Sequence, residues 1–237
     1  MINIIQTYHD FFLQGMGITL LVALVGTIGG IILGMLIYFL RALKIHFTDS
    51  TFVKVIKKIF SFIAVVYIDI MRGTPMIVQA VIFYYSLASP ILHWNVIGTA
   101  FFIVSFNTAA YIAEIVRSGV NALGEGQIEA GQSLGMSRFQ IMRYIIFPQA
   151  LKNSVPSLMN ELIVNIKDSA VLNVIGLPEL FYQGMNAGSI NYQYTAVFII
   201  IAIIYFVITF ILSRLVTYIV NRKGDKRIEF EIQSTTV

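Results

Sequence analysis

The sequence predicts an all-α integral membrane protein with five transmembrane helices, its N-terminus outside and its C-terminus in the cytoplasm. Three observations predict it. Of 237 residues, 57% are hydrophobic and 12% charged, about half the roughly 25% charged share of a soluble domain. Several apolar runs approach or exceed the length needed to cross a bilayer. Finally, Lys and Arg alternate between connecting segments in a pattern that five crossings satisfy.

The elements follow in order. Residues 1–14 form an N-terminal segment whose first ten residues hold no Lys or Arg. It lacks the basic start and small-x-small cleavage site of a secretory signal, so the first apolar run is read as retained. That run, Ile18–Leu40, has 23 residues without a charge, against about 20 needed for a span. Gly26, Gly30 and Gly34 recur every four residues, with Gly29 beside them. They strip one helix face so that another backbone can come close. Arg41, Lys44, Lys54, Lys57 and Lys58 then mark a cytoplasmic connection.

The second span is interrupted. Apolar Ile59–Ile68 and Met76–Leu87 bracket "DIMRGTP", with Asp69, Arg72 and the helix-breaking Gly73-Thr74-Pro75. Asp69 and Arg72 stand one turn apart, a spacing that suits an ion pair across the break. In the other reading the kink lines a path, with Thr74 or Gln79 touching what passes. The outer connection "ASPILHWN" has no basic residue, and Val96–Ala113 supplies the third span.

A polar stretch follows, flanked by Arg117, Arg138, Arg143 and Lys152. It reads as helix–turn–helix. The first helix runs from Glu125 to Leu134, with Glu125 and Glu129 early, where the helix dipole favours acids. Gly135 takes the left-handed stop position. Ser137 is the next N-cap, with Gln140 at capping-box spacing, and Pro148 closes the stretch. Ala130, Gly131 and Ser133 leave a small-residue surface that a partner could approach.

The charge alternation requires a fourth span between Lys152 and Gly176, although that stretch keeps Glu161, Lys167 and Asp168. Each central charge in a span costs roughly 2.5–3.5 kcal/mol on insertion scales, so such residues are functional by default. Glu161, Asn165 and Asp168, at i, i+4 and i+7, share one helix face. Ser154, a heptad earlier, extends that face if the helix continues past Pro156. No opposite charge stands three or four residues from any of the three, so their partners are another helix, a second subunit or a ligand. The fifth span is Ala196–Ser213, followed by Arg214, Arg222, Lys223, Lys226 and Arg227. Fourteen of sixteen basic residues fall on the cytoplasmic side in this topology, leaving only Arg72 and Lys167.

The absence of cysteine excludes disulfides, thiolate metal sites and cysteine nucleophiles. His9, His46 and His93 lie in three separate connections and form no metal motif. The net charge of +4 follows membrane topology and is no sign of nucleic-acid binding. No clustered nucleophile and base suggests an enzyme, and no G-x-x-x-x-G-K-[ST] loop is present.

"EAGQSLGMSRFQIMRYIIFPQAL" resembles the EAA loop of ATP-binding-cassette importer permeases, at Glu129, Ala130, Gly131, Gly135, Ile145 and Pro148. Gly131 stands where that family usually has a second alanine. The exchange lowers helix stability by about 0.8–1 kcal/mol, which implies weakened rather than lost docking. "MRGTPMIVQ", "SFNTAAYIAEIVRSGV" and "NELIVNIKDSAVLNVIGLPEL" resemble the polar amino-acid branch, and the likeness covers roughly residues 15–220. It implies a multi-pass permease of a bacterial plasma (inner) membrane that takes up a polar amino acid, cationic ones included. The importer transmembrane domain would be 15–220, its coupling loop 121–148, and 221–237 a cytoplasmic tail.

The implied partners are an ATP-binding-cassette ATPase, a second permease subunit (a copy or a close homologue), an extracytoplasmic amino-acid-binding protein and membrane lipid. No cofactor is expected in this chain; ATP and magnesium belong to the ATPase. Glu129, Ala130, Gly131, Leu134 and Gly135 would couple to it. Glu161 or Asp168 would hold the substrate's ammonium and Lys167 its carboxylate, with Asn165, Thr74 and Gln79 completing the site. The rival is an ion-coupled secondary transporter, in which the same charges would serve ions.

Overall fold

The glycines of the first apolar run set the main helix crossing. In the computed structural model, which describes residues 2–44 and 49–222, helix α1 (Ile2–Arg41) lies along α4 (Val96–Asn121) in the most extensive interface between elements. A Cβ at Gly30 would stand 2.7 Å from Cβ of Thr108, and one at Gly34 2.7 Å from the Ala109 carbonyl oxygen. Only glycine admits that approach. The glycine face is thus a packing surface within the subunit. His46, Lys223, Lys226, Arg227 and the tail from residue 223 lie outside the described residues.

Helix α1 begins at Ile2, kinks at Tyr8, where φ is −113° and ψ 17°, and then passes residue 14 without stopping. Its N-terminal end is held because Ile4 and Phe12 bury against Leu180, Ala187, Val197 and Ile200. These belong to α8 (Leu180–Asn191) and α9 (Tyr194–Arg222). At the opposite end Arg41 reaches Glu114 of α4 at 2.6 Å, and Arg117 pairs with the same carboxylate. Among the described residues, three helices are long and apolar enough to cross a membrane: Ile2–Arg41, Val96–Asn121 and Tyr194–Val220.

The interruption at Gly73-Thr74-Pro75 is present. Helix α2 (Thr51–Gly73) stops there and α3 (Met76–Phe83) restarts, prolonged by a π turn over Tyr84–Ala88. Asp69 and Arg72 do not pair. Both are exposed, and Arg72 lies over the Tyr111 ring with 5.5 Å from Cζ to the centroid. A cation over an aromatic face keeps its attraction without needing Asp69 to turn toward it.

The polar stretch forms α5 (Gly126–Ser133) and α6 (Arg138–Ile141). Pro148 does not close it. A π turn at Met142–Ile146 leads straight into α7 (Phe147–Asp168), with Pro148 in the first turn. Proline lacks the N–H that a helix interior needs, and here the first turn and the wider π turn before it accept the ring. Helix α7 continues past Pro156, so Ser154 does lie on the same helix as Glu161; it is buried, and its Oγ has no hydrogen-bond partner among the described residues. A 3-10 turn over Ser169–Ile175 ends the element at left-handed Gly176.

Candidate functional site

The helix–turn–helix is built by its caps. Helix α5 ends in a Schellman arrangement: Gly135 N–H donates to the Gln132 carbonyl at 2.9 Å and Met136 N–H to that of Gly131 at 3.1 Å. Gly135 has φ 73°, the left-handed conformation that such a stop requires. Ser137 then caps α6 in a reciprocal box. Gln140 N–H donates to Ser137 Oγ at 3.3 Å, while Ser137 N–H donates to Gln140 Oε1 at 2.8 Å.

Glu129, Ala130, Leu134 and Gly135 are all exposed, Leu134 at 79%. Gly131 is not. It is buried, and a Cβ there would stand 2.7 Å from Cγ1 of Ile141. Gly131 therefore seats α5 on α6, while its neighbours face outward. Phe139, 70% exposed, and Tyr144, 64% exposed, extend the outward face. Exposed apolar side chains grouped on one polar helix pair mark a surface suited to contact with a protein partner or the membrane.

The break between α2 and α3 is stitched by side chains. Pro75 has no N–H for the Met71 carbonyl four residues earlier. Gln79 Nε2 donates to that oxygen at 3.0 Å instead, and also to Thr74 Oγ1 at 2.8 Å. Thr74 Oγ1 in turn donates to the Ile70 carbonyl at 2.8 Å, and Asn107 Nδ2 of α4 donates to Gln79 Oε1 at 3.0 Å. Thr74 and Gln79 also edge a cavity of about 430 Å³ walled by Ile70, Val78, Phe83 and Phe102.

On α7, Asn165 is buried at 4% exposure. Its Oδ1 accepts from Thr108 Oγ1 of α4 at 3.1 Å, and its Nδ2 donates to Thr27 Oγ1 of α1 at 2.8 Å. Glu161, one turn earlier, is half-buried, while Lys167 and Asp168 are exposed. None of these three side chains makes a salt bridge or hydrogen bond among the described residues. No such bond joins Thr74 or Gln79 to Glu161, Lys167 or Asp168 either; the connection runs through Asn107 and Thr108.

Three residues were missed by reading the sequence. Asn107 and Thr108 sit inside "SFNTAAY", where the signal available was two consecutive polar residues in an otherwise apolar span. The third is Glu179, fully buried at the start of α8. It accepts from Phe181 N–H and Tyr182 N–H, both at 2.8 Å, and from Tyr205 Oη at 2.9 Å. An acid directly ahead of an apolar helix was its cue.

Comparison with known proteins gives concordant results. A model of the family described as "Binding-protein-dependent transport system inner membrane component" matches residues 50–225. The arginine transport system permease protein ArtQ of Bacillus subtilis is 38% identical over 86% of this chain and 88% of its own length. The glutamine transport system permease protein GlnP of Escherichia coli is 34% identical over 85% and 87%. Among solved structures, the crystal structure of an amino acid ABC transporter with histidines superposes with a TM-score of 0.83 at 35% identity, covering 92% of this chain and 96% of that one. The chain therefore belongs to the binding-protein-dependent transport system inner membrane components, the permease subunits of ATP-binding-cassette importers.

Proposed function

We infer that this permease takes up a polar amino acid, cationic ones included, across a bacterial plasma membrane. The relatives named for arginine and glutamine transport support the substrate class. The chain crosses five times, N-terminus outside, with α2–α3 as the second crossing and α7 as the fourth. Two permease subunits, identical or homologous, sit on ATPase subunits that hold the ATP and magnesium. An extracytoplasmic binding protein delivers the amino acid, and the subunits alternate between outward- and inward-open states. The α5–α6 pair docks on the ATPase through Glu129, Ala130, Leu134 and Gly135, with Gly131 holding α5 in place.

The observation that carries the site is the set of three charges on α7 that form no salt bridge or hydrogen bond among the described residues. Glu161 is half-buried, where a charge without a partner is costly, and a free amino acid brings the complement of all three charges: one ammonium and one carboxylate. Glu161 or Asp168 takes the ammonium and Lys167 the carboxylate. Asn165 fixes the helix that bears them, and Thr74 and Gln79 shape the path at the break.

The test is ATP-driven uptake by the purified complex in proteoliposomes, with radiolabelled arginine, glutamine and histidine as probes. Uptake that needs ATP and survives ionophores is expected; uptake that needs an ion gradient and not ATP refutes the importer. Glu161→Gln should lose at least about tenfold of the uptake while the complex stays assembled. Unchanged uptake removes Glu161 from the site, and a complex that falls apart makes the charges a structural network instead.

A further inference from the structure

Two neighbouring side chains on α4 tie it to the α2–α3 break and to α7. Consecutive helix residues point about 100° apart, and Asn107 and Thr108 serve different neighbours. Asn107 turns to the α2–α3 break. Its Nδ2 donates to Gln79 Oε1 at 3.0 Å, and Gln79 is the residue that replaces the missing N–H of Pro75 at the Met71 carbonyl. Thr108 turns the other way. Its Oγ1 donates to Asn165 Oδ1 at 3.1 Å, Asn165 Nδ2 donates to Thr27 Oγ1 at 2.8 Å, and Thr27 Oγ1 ends the chain on the Ala23 carbonyl at 2.7 Å. Thr108, Asn165 and Thr27 are 1%, 4% and 5% exposed, so water cannot stand in for a lost member. Buried chains of this kind fix one arrangement because every alternative strands a polar group.

The geometry has a consequence for transport. Asn165 lies one turn after Glu161 and one turn before Asp168 on α7, so its tie to Thr108 fixes the rotation of the charged face about the α7 axis. The tie through Asn107 fixes the break. Both converge on adjacent residues of α4, the helix most extensively packed against α1. We propose that Asn107 and Thr108 form a single positioning pair, which keeps the break between α2 and α3 and the charged face of α7 in one fixed relation, so that ATP-driven movement of the subunit carries both together. This rests on the importer reading above. The pair touches no substrate; it acts through Gln79 and Asn165.

The test uses the complete complex of permease, ATPase and binding protein in proteoliposomes, measuring amino acid transported and ATP hydrolysed in the same sample. Thr108→Val keeps the shape and deletes the donor to Asn165. Asn107→Leu deletes the donor to Gln79. Each should raise the ATP consumed per amino acid transported by about tenfold, with assembled complex and ATPase turnover retained, and Thr108→Ser should restore the wild-type ratio. Because the two ties act as one device, the double variant should be little worse than either single one, a non-additivity that independent sites do not show. An unchanged ratio in Thr108→Val overturns the proposal. So does an equal defect in Thr108→Ser, which would assign the effect to packing, and so does a double variant whose defect is the product of the two. Loss of uptake, turnover and assembly in parallel also overturns it, since that is the mark of a merely structural role. A wild-type complex whose uptake ignores ATP would instead remove the importer reading, and the pair's role with it.

Discussion

Replacing Gly135 by valine tests the α5 stop without disturbing any packing. Gly135 sits at φ 73°, and a Cβ added there meets nothing within 4 Å. The cost is therefore one of backbone conformation alone. An ordinary L residue loses about 1–2 kcal/mol in the left-handed region, and a β-branched one stands near the upper end of the roughly 1–3 kcal/mol range for strained backbone. Helix α5 is only eight residues long and, apart from Gly131, exposed, so it has little burial with which to hold the turn. A loss of about 2–3 kcal/mol lowers the equilibrium constant for forming the turn by roughly 30- to 140-fold at about 1.4 kcal/mol per decade. Uptake and recovery of the ATPase with the permease should fall accordingly, while the amount inserted in the membrane stays the same. Gly135→Asn, which tolerates the left-handed conformation, should retain most of both. A valine variant as active as the asparagine one would show that the left-handed stop is not what docking requires.

Two further outcomes follow from glycine contacts. Gly34→Val should destabilise the purified permease by about 1–3 kcal/mol or more, because its Cβ would meet the backbone oxygen of Ala109; Gly17→Ala, with nothing within 4 Å, should not. Equal thermal midpoints in detergent for both variants would contradict the close α1–α4 crossing. Gly131→Ala should not tighten ATPase docking, although helix propensity alone, at about 0.8–1 kcal/mol, would tighten it about fivefold. The Ile141 side chain must give way to the new methyl group, and a fivefold gain in measured affinity would show that it does so freely.

Much of the frame was legible in the sequence because the signals were local. The helix stop at Gly135, the reciprocal cap of Ser137 and Gln140 and the break at Gly73-Thr74-Pro75 each depend on residues within four positions of one another, and all three are present. The glycine face of α1 was legible as a packing surface, although not its partner. What stayed hidden depends on distant residues. The N-terminal extension of α1 is held by Leu180 and Val197, which no local pattern in residues 2–17 discloses. The π turn at Met142–Ile146 changes backbone register without a side-chain signature, so Pro148 looked like an end when it is a beginning. The tie between Asn165 and Thr27 spans 138 residues, and only the fold brings them together.

That tie also sorts the candidate site residues by chemistry. A helix break leaves carbonyls without their intrahelical donors, and such a break persists where other protein groups satisfy them. Thr74 and Gln79 do this at the break, as their bonds to Ile70 and Met71 show, and Asn165 joins three helices. Their polarity is accounted for inside the subunit before any ligand is considered. Glu161, Lys167 and Asp168 serve no comparable structural purpose, since they satisfy no orphaned carbonyl, cap no helix and form no salt bridge among the described residues. The case for an amino-acid site therefore rests on these three charges, and a variant of Gln79 or Asn165 that loses uptake would speak first for the architecture that holds them.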